Sequence, residues 1–227
     1  MLKLTWLSHA SWLLETDAHR ILLDPFLSDN PTAQSAPDAI ENISHILVSH
    51  GHFDHVADVA TIANRDDSTV VANFEIADWF AQKQQVKSTL GMNLGGQTSL
   101  PFGTVKMVPA QHSSLLPDGS YGGNPASFVL QIDGKRIYFA CDTALFSDMR
   151  LYAPQVDVAV LPIGDLFTMG IDDSIEAIKL IEPKWVLPTH YNTWPPIEQD
   201  AAQWAERVRS ETAAKPVVLG VGESFSV

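Results

Sequence analysis

The sequence predicts an α+β fold in which two β-sheets pack face to face with helices outside. Three observations carry this reading. Short apolar runs bounded by turn residues recur in both halves of the chain, helical patterns follow each group of runs, and the segments richest in His and Asp stand where strands end. With 227 residues, 45% of them hydrophobic and 18% charged, the chain suffices for one large domain. A chain this long buries roughly 70–75% of its unfolded surface and needs no disulfide or structural metal to hold it.

Residues 2–7, 12–16 and 20–24 read as strands of a meander, with His9 in the first turn and Asp24-Pro25 closing the third strand. Residues 28–38, rich in Pro, Ser and Asp, form a loop long enough to wall a substrate. The apolar strand 46–48 runs into His50-Gly51-His52-Phe53-Asp54-His55. A helix over 56–63, a strand over 69–72 and a helix over 74–82 follow, the last with Ile76, Trp79 and Phe80 on one side. Residues 91–96 read as a turn, and the strand 104–109 delivers His112.

The Gly/Pro/Ser loop 116–125 marks the expected boundary between two pseudo-symmetric halves, about 1–115 and 116–227, of a single domain 1–227. Beyond it, 127–132 and 136–140 form a hairpin around Asp133-Gly134 and lead into Cys141-Asp142. A buried strand over 156–161, a helix capped by Asp172 or Asp173 and ending at 181, and a strand over 185–187 leading to His190 come next. A helix over 198–212 and a strand over 217–219 close the chain.

Net charge is −13, from 14 basic and 27 acidic residues, which argues against a nucleic acid polymer, whose phosphates need Lys and Arg. No apolar run nears the ~18 residues of a membrane span, and the first residues lack the apolar core of a signal peptide. A single cysteine, Cys141, rules out an intrachain disulfide. The expected setting is the cytoplasm, without membrane insertion.

Residues 50–55 hold three His and one Asp, a density that core packing does not explain, because each buried polar group would need its own partner. The competing reading is a solvated His-rich loop. Four such groups are too few for two ions, but His112, Asp142 and His190 each follow a strand end in the sequence. If those ends share an edge, one divalent ion takes His50, His52 and His112, and the other Asp54, His55 and His190, with Asp142 bridging. A hydroxide shared by the two ions is then the expected nucleophile.

HGHFDH followed by a lone His, a lone Asp and a lone His resembles the metallo-β-lactamase superfamily and its His-x-His-x-Asp-His signature. WLSHASWLLE, LLDPFL, AQHSS, YGGNPASFVL, CDTALFSDM, LPIGDLFTMG and PTHYNTWPPI look like its small metal-dependent hydrolase branch, related to ascorbate-6-phosphate lactonase. The resemblance spans nearly the whole chain and implies a four-layer αββα sandwich. Two residues depart from the branch: Cys141 and Asp165 stand where it usually has Gly.

The implied function is a hydrolase of an ester, lactone or similar carbonyl substrate, with two divalent ions per chain. Zinc is the first choice, and manganese, iron and nickel are compatible. Asp54 and His190 are the ligands expected to share in the chemistry. Asp24 resembles the family's first acidic position and is expected to hold the ligand loop. His9, Ser113, Asn124 and Tyr191 are expected beside the ligands or the substrate. Two alternatives stand: a phosphodiesterase acting on a cyclic nucleotide or phospholipid-like molecule, and a metal-binding or sensing protein without turnover. The partner is a small molecule, and a homo-oligomer is the expected assembly.

Overall fold

In chain order the strands are β1 (Lys3–Ser8), β2 (Ser11–Glu15), β3 (Arg20–Leu23), β4 (His45–Leu47), β5 (Thr69–Asn73), β6 (Thr89–Met92) and β7 (Gln97–Leu100). They continue as β8 (Gly103–Pro109), β9 (Ala126–Ile132), β10 (Lys135–Phe139), β11 (Val158–Pro162), β12 (Trp185–Thr189), β13 (Lys215–Pro216) and β14 (Ser224–Ser226). The computed structural model describes all residues, Met1–Val227. Helices α1 (Phe53–Val56), α2 (Val59–Asp66) and α3 (Phe74–Lys83) accompany the first sheet. Helices α4 (Met149–Tyr152), α5 (Ile171–Ile181) and α6 (Ala201–Glu211) accompany the second.

Each sheet has seven strands, in the orders β14-β1-β2-β3-β4-β5-β6 and β13-β12-β11-β10-β9-β8-β7. Both are mixed: β3 to β6 and β10 to β13 are parallel, and the remaining pairs are antiparallel. Parallel strands bury both faces, which explains runs such as Val158–Pro162, buried at every position. One apolar core lies between the sheets, where Trp12 meets Phe139, and reaches Trp204 of α6; a smaller one fills the space between the first sheet and α2 and α3. This is the α+β sandwich expected. No helix is long and apolar enough to cross a membrane.

The chain changes sheet between Met92 and Gln97, ahead of the loop that the sequence marks as the boundary, so β7 and β8 already belong to the second sheet. The last strand, β14, returns to pair with β1. The helix expected over 56–63 is two pieces, α1 and α2, because the chain turns at Asp58, whose carboxylate accepts the Leu27 and Ser28 amides. Asp172 and Asp173 do not cap α5. Gly170 is its N-cap, and the two acids lie in the first turn, where they favour the helix dipole. Strand β13 lies at 215–216 rather than 217–219, with the Val217 amide still bonded to the Val186 carbonyl.

Candidate metal centre

The C-terminal ends of β1, β3, β4, β8, β10 and β12 carry the site. At several of these ends the backbone turns into the left-handed region: His9 has φ 52, Asp24 φ 44, Cys141 φ 53 and His190 φ 54. Non-glycine residues rarely adopt such angles and keep them where surrounding contacts over-determine them. The contacts here are visible. The carbonyl of His9 accepts from the Trp6 indole (2.8 Å), the Thr189 hydroxyl (2.7 Å) and the His190 amide (3.0 Å). One carbonyl therefore ties the β1–β2 turn of the first sheet to the end of β12 in the second.

The ligand loop leaves β4 through Val48 and Ser49. Ser49 and Asp24 lock it: the Ser49 amide donates to Asp24 Oδ1 at 2.8 Å, and its hydroxyl donates to Asp24 Oδ2. The same hydroxyl lies 3.0 Å from His50 Nδ1, and Asp24 Oδ2 lies 2.9 Å from His55 Nδ1. Those contacts turn Nε2 of both rings inward, that of His50 to 2.9 Å from His52 Nδ1, as a carboxylate or hydroxyl behind a metal-binding imidazole does. Gly51 follows because its amide donates to Ser114 Oγ at 3.0 Å and a Cβ would come within 3.1 Å of Leu116.

Two groups of candidate ligands result. His50, His52 and His112 offer nitrogens that all lie within 4.8 Å of one another, and so do the ligand atoms of His9, Asp54, His55 and His190. Between them stands Asp142. Its Oδ2 is 3.9 Å from His50 Nε2, 3.3 Å from His55 Nε2, 3.7 Å from His112 Nε2 and 3.0 Å from His190 Nε2. Asp142 Oδ1 and His55 Nε2 are buried with no hydrogen-bond partner. Buried polar atoms left unpaired are costly; here they point into one another's space, which suits divalent cations. All seven residues named from the sequence as ligands are therefore brought together.

The charges agree with that fit. Burial pushes the imidazoles of His50, His52 and His112 toward the neutral form that binds metal. Burial alone would also lower His55, but the carboxylates of Asp142, Asp54 and Asp24 outweigh it and raise the ring well above its ordinary value. Burial works against ionised Asp142, yet the neighbouring His190 and His55 hold its carboxyl well below the usual range. Three carboxylates around one imidazole are a demand for positive charge.

Of the supporting residues, His9 is fully buried, with Nε2 3.0 Å from Asp54 Oδ2 and Nδ1 2.8 Å from the Thr193 hydroxyl. Burial, followed by His190, lowers its pKa to about 4. Ser113 Oγ stands 3.3 Å from His52 Nε2. Asn124 and Tyr191, expected beside the ligands or the substrate, make no hydrogen bond to the ligand set. Asn124 contacts Asn73 and Tyr121, and the Tyr191 ring turns away from His190 to stack on Trp6 at 5.2 Å. Sequence reasoning passed over Ser49, Thr193 and Phe53, whereas Trp194, with Phe167 and Met169, was expected as an apolar wall beside the metals. Ser49 stood directly before the first ligand and was findable there; Thr193 is placed only by the fold of the loop after β12.

Two facing mixed sheets with a His/Asp cluster across one shared edge define a sandwich built to hold metal. A model of the beta-lactamase superfamily domain matches residues 19–191. The chain belongs to the metallo-β-lactamase superfamily. A UPF0173 metal-dependent hydrolase of Pyrococcus furiosus is 43% identical over 231 residues, covering 100% of both chains. One from Thermus thermophilus is 47% identical over 212 residues, 93% of each. Among solved structures, Igni18, a metallo hydrolase from the archaeon Ignicoccus hospitalis, is similar with TM-score 0.87 and 33% identity, covering 100% of this chain and 99% of that one.

Proposed function

We propose that the centre is binuclear and hydrolyses a carboxylic ester or lactone. The observation that carries this is the place of Asp142 Oδ2, within 3.9 Å of nitrogens from both ligand groups. With this oxygen central to four imidazoles, one cation would be held by His50, His52 and His112 and the other by Asp54, His55 and His190, and Asp142 would serve both. Two divalent ions there, with zinc the first choice among compatible metals, would supply Lewis acidity toward the substrate carbonyl and a water made nucleophilic near neutral pH.

The chain's own residues set the rest. The Asp54 carboxylate, largely buried and held at Oδ2 by His9, would take a proton from the attacking water. His190 Nε2 lies 3.9 Å from the same oxygen and limits where that proton can rest. In the reaction the water oxygen bonds to the acyl carbon and the bond from that carbon to the alcohol oxygen breaks. One water proton ends on the departing alkoxide. The reading extends to a homo-oligomer and to a cytoplasmic setting, the latter supported by the single buried cysteine, Cys141.

The test is elemental analysis of the purified protein coupled to a panel of esters, lactones, thioesters and phosphodiesters. Two transition ions per chain are expected, and His112→Ala and Asp142→Ala should each lose at least about 100-fold in kcat/KM. Wild-type turnover in either variant overturns the reading.

A further inference from the structure

Resting on that hydrolase reading, we propose that the substrate is uncharged and carries an apolar chain or ring, which lies in a groove beside the ligand loop. Phe26, Phe53, Ala60, Trp79 and Phe80 form its walls, and its volume is ≈ 490 Å³, within the usual size of a small-molecule site. Phe53 links the groove to the ligand loop. It stands between His52 and Asp54 in the chain, is 58% exposed, and packs edge-on against Phe26 at 5.8 Å and tilted against Trp194 at 6.0 Å. Phe26 and Trp194 in turn flank His9, which holds Asp54.

Further apolar side chains stand exposed on loops at the C-terminal ends of strands. Leu115 and Tyr121 follow His112, while Leu166 and Phe167 follow β11. Asp165 and Leu166 are both left-handed, at φ 61 and 46, and the Gly164 beneath them packs against the His190 carbonyl. A leucine held in that conformation and 65% exposed contributes little to the core. It suits the rim of a site for apolar groups.

Charge decides what the groove accepts. The ligand-edge loops cover residues 8–10, 24–34, 49–55, 110–125, 141–148, 163–170 and 189–200, and none contains Lys or Arg. The only charged groups lining the groove are the carboxylates Asp29 and Asp118. Phosphate and carboxylate groups are recognised by guanidinium or ammonium groups. A phosphate on the substrate would find no protein cation in these loops and two carboxylates at the groove, whereas an uncharged chain meets aromatic rings.

The test uses the metal-loaded enzyme and the p-nitrophenyl esters of acetate, butyrate and hexanoate. A fully buried methylene is worth roughly fourfold, so the four methylenes that separate hexanoate from acetate should raise kcat/KM by at least about 10-fold and, if all are buried, by up to about 250-fold. Ala60→Trp, which fills the groove, should flatten that series to within about threefold. A flat series in the wild type, or faster turnover of the anionic bis-p-nitrophenyl phosphate, overturns the proposal.

Calorimetry with N-octylacetamide, an uncharged amide, reads the groove without turnover. Binding that Ala60→Trp abolishes supports the groove even if no ester is hydrolysed, in which case the hydrolase reading alone falls. Ester hydrolysis without amide binding overturns the groove. So does a drop in assembly mass on Ala60→Trp, since the groove would then be the seat of a second copy.

Discussion

His9 is used at three points: the carbonyl gathers three donors, Nδ1 meets Thr193 and Nε2 meets Asp54. The backbone role survives truncation of the side chain. His9→Ala should therefore fold, yet bind metal about 10- to 100-fold more weakly, as loss of a group behind a ligand does; competition with a chelator measures it. Cys141 and Asp165, the two departures from the branch, both occupy left-handed backbone, at φ 53 and 61. Glycine suits those positions for a steric reason, because an ordinary side chain there costs roughly 1–2 kcal/mol and Asp somewhat less. Asp165→Gly, set against the greater freedom of an unfolded glycine, should change stability by about 0 to +1 kcal/mol, read from thermal melting. A loss above about 1 kcal/mol would mean that the Asp165 carboxylate, which accepts the Leu166 amide, matters more than the strain.

At the scale of elements, the ends that bear chemistry were more legible than the edges of the sheets. The run from Ile46 into the His-rich loop announced itself because an apolar strand and a cluster of ligands sit side by side. Strands β6, β7 and β14 did not. TLGM holds a glycine and is only half buried, QTSL alternates exposed and half-buried residues, and SFS has a single apolar residue. Each is a strand because of its neighbour: Ser224–Ser226 pairs with Lys3–Thr5, from the opposite end of the chain. Helix starts follow local chemistry more closely. Asn73 caps α3 by accepting the Ile76 amide, while its Nδ2 donates to the carbonyls of Gly122 and Asn124. Asn73→Ala would remove the cap and leave two carbonyls unpaired, an expected loss of about 2–4 kcal/mol in denaturant unfolding. Asp200→Ala removes only a cap, from the Ala202 and Gln203 amides, and should cost about 1 kcal/mol.

For the whole molecule, the core between the sheets does not depend on metal, so chelation should lower the melting temperature without unfolding the chain at 25 °C. The shift should grow with free metal concentration, as mass action requires; calorimetry with and without chelator checks both points. Acid acts elsewhere as well. Asp66, Asp118 and Asp157 all titrate below the ordinary carboxylate range, held there by Arg65, by the Trp79 indole, and, against the opposing effect of burial, by Lys184. Their folded values lie below their unfolded ones, so the stabilisation is complete above about pH 4 and is lost as pH falls toward the folded values. That value is about 2 for Asp118. These carboxylates should thus add a decline below pH 4 to an earlier loss that begins near pH 6.5, where His9, His50, His52 and His112, kept neutral by burial, take up protons on unfolding. Trp79→Phe should move the Asp118 titration upward by NMR. The convergence of seven candidate ligands was legible because each follows a strand end; the groove was not, because it brings together Phe26, Phe53, Trp79 and Pro117 from four separate segments.

The tie between the His9 carbonyl and the His190 amide also orders events during synthesis. A nascent chain that has emerged only as far as α5 holds His50, His52, Asp54, His55, His112 and Asp142 but not His190, and its first strand still lacks the partner that β14 provides. The ribosome must release nearly the entire polypeptide before both sheets can be sealed. Completion of the second ligand group is therefore an event of the finished chain, and stalled chains ending before His190 should remain open to protease under conditions where the released protein resists it.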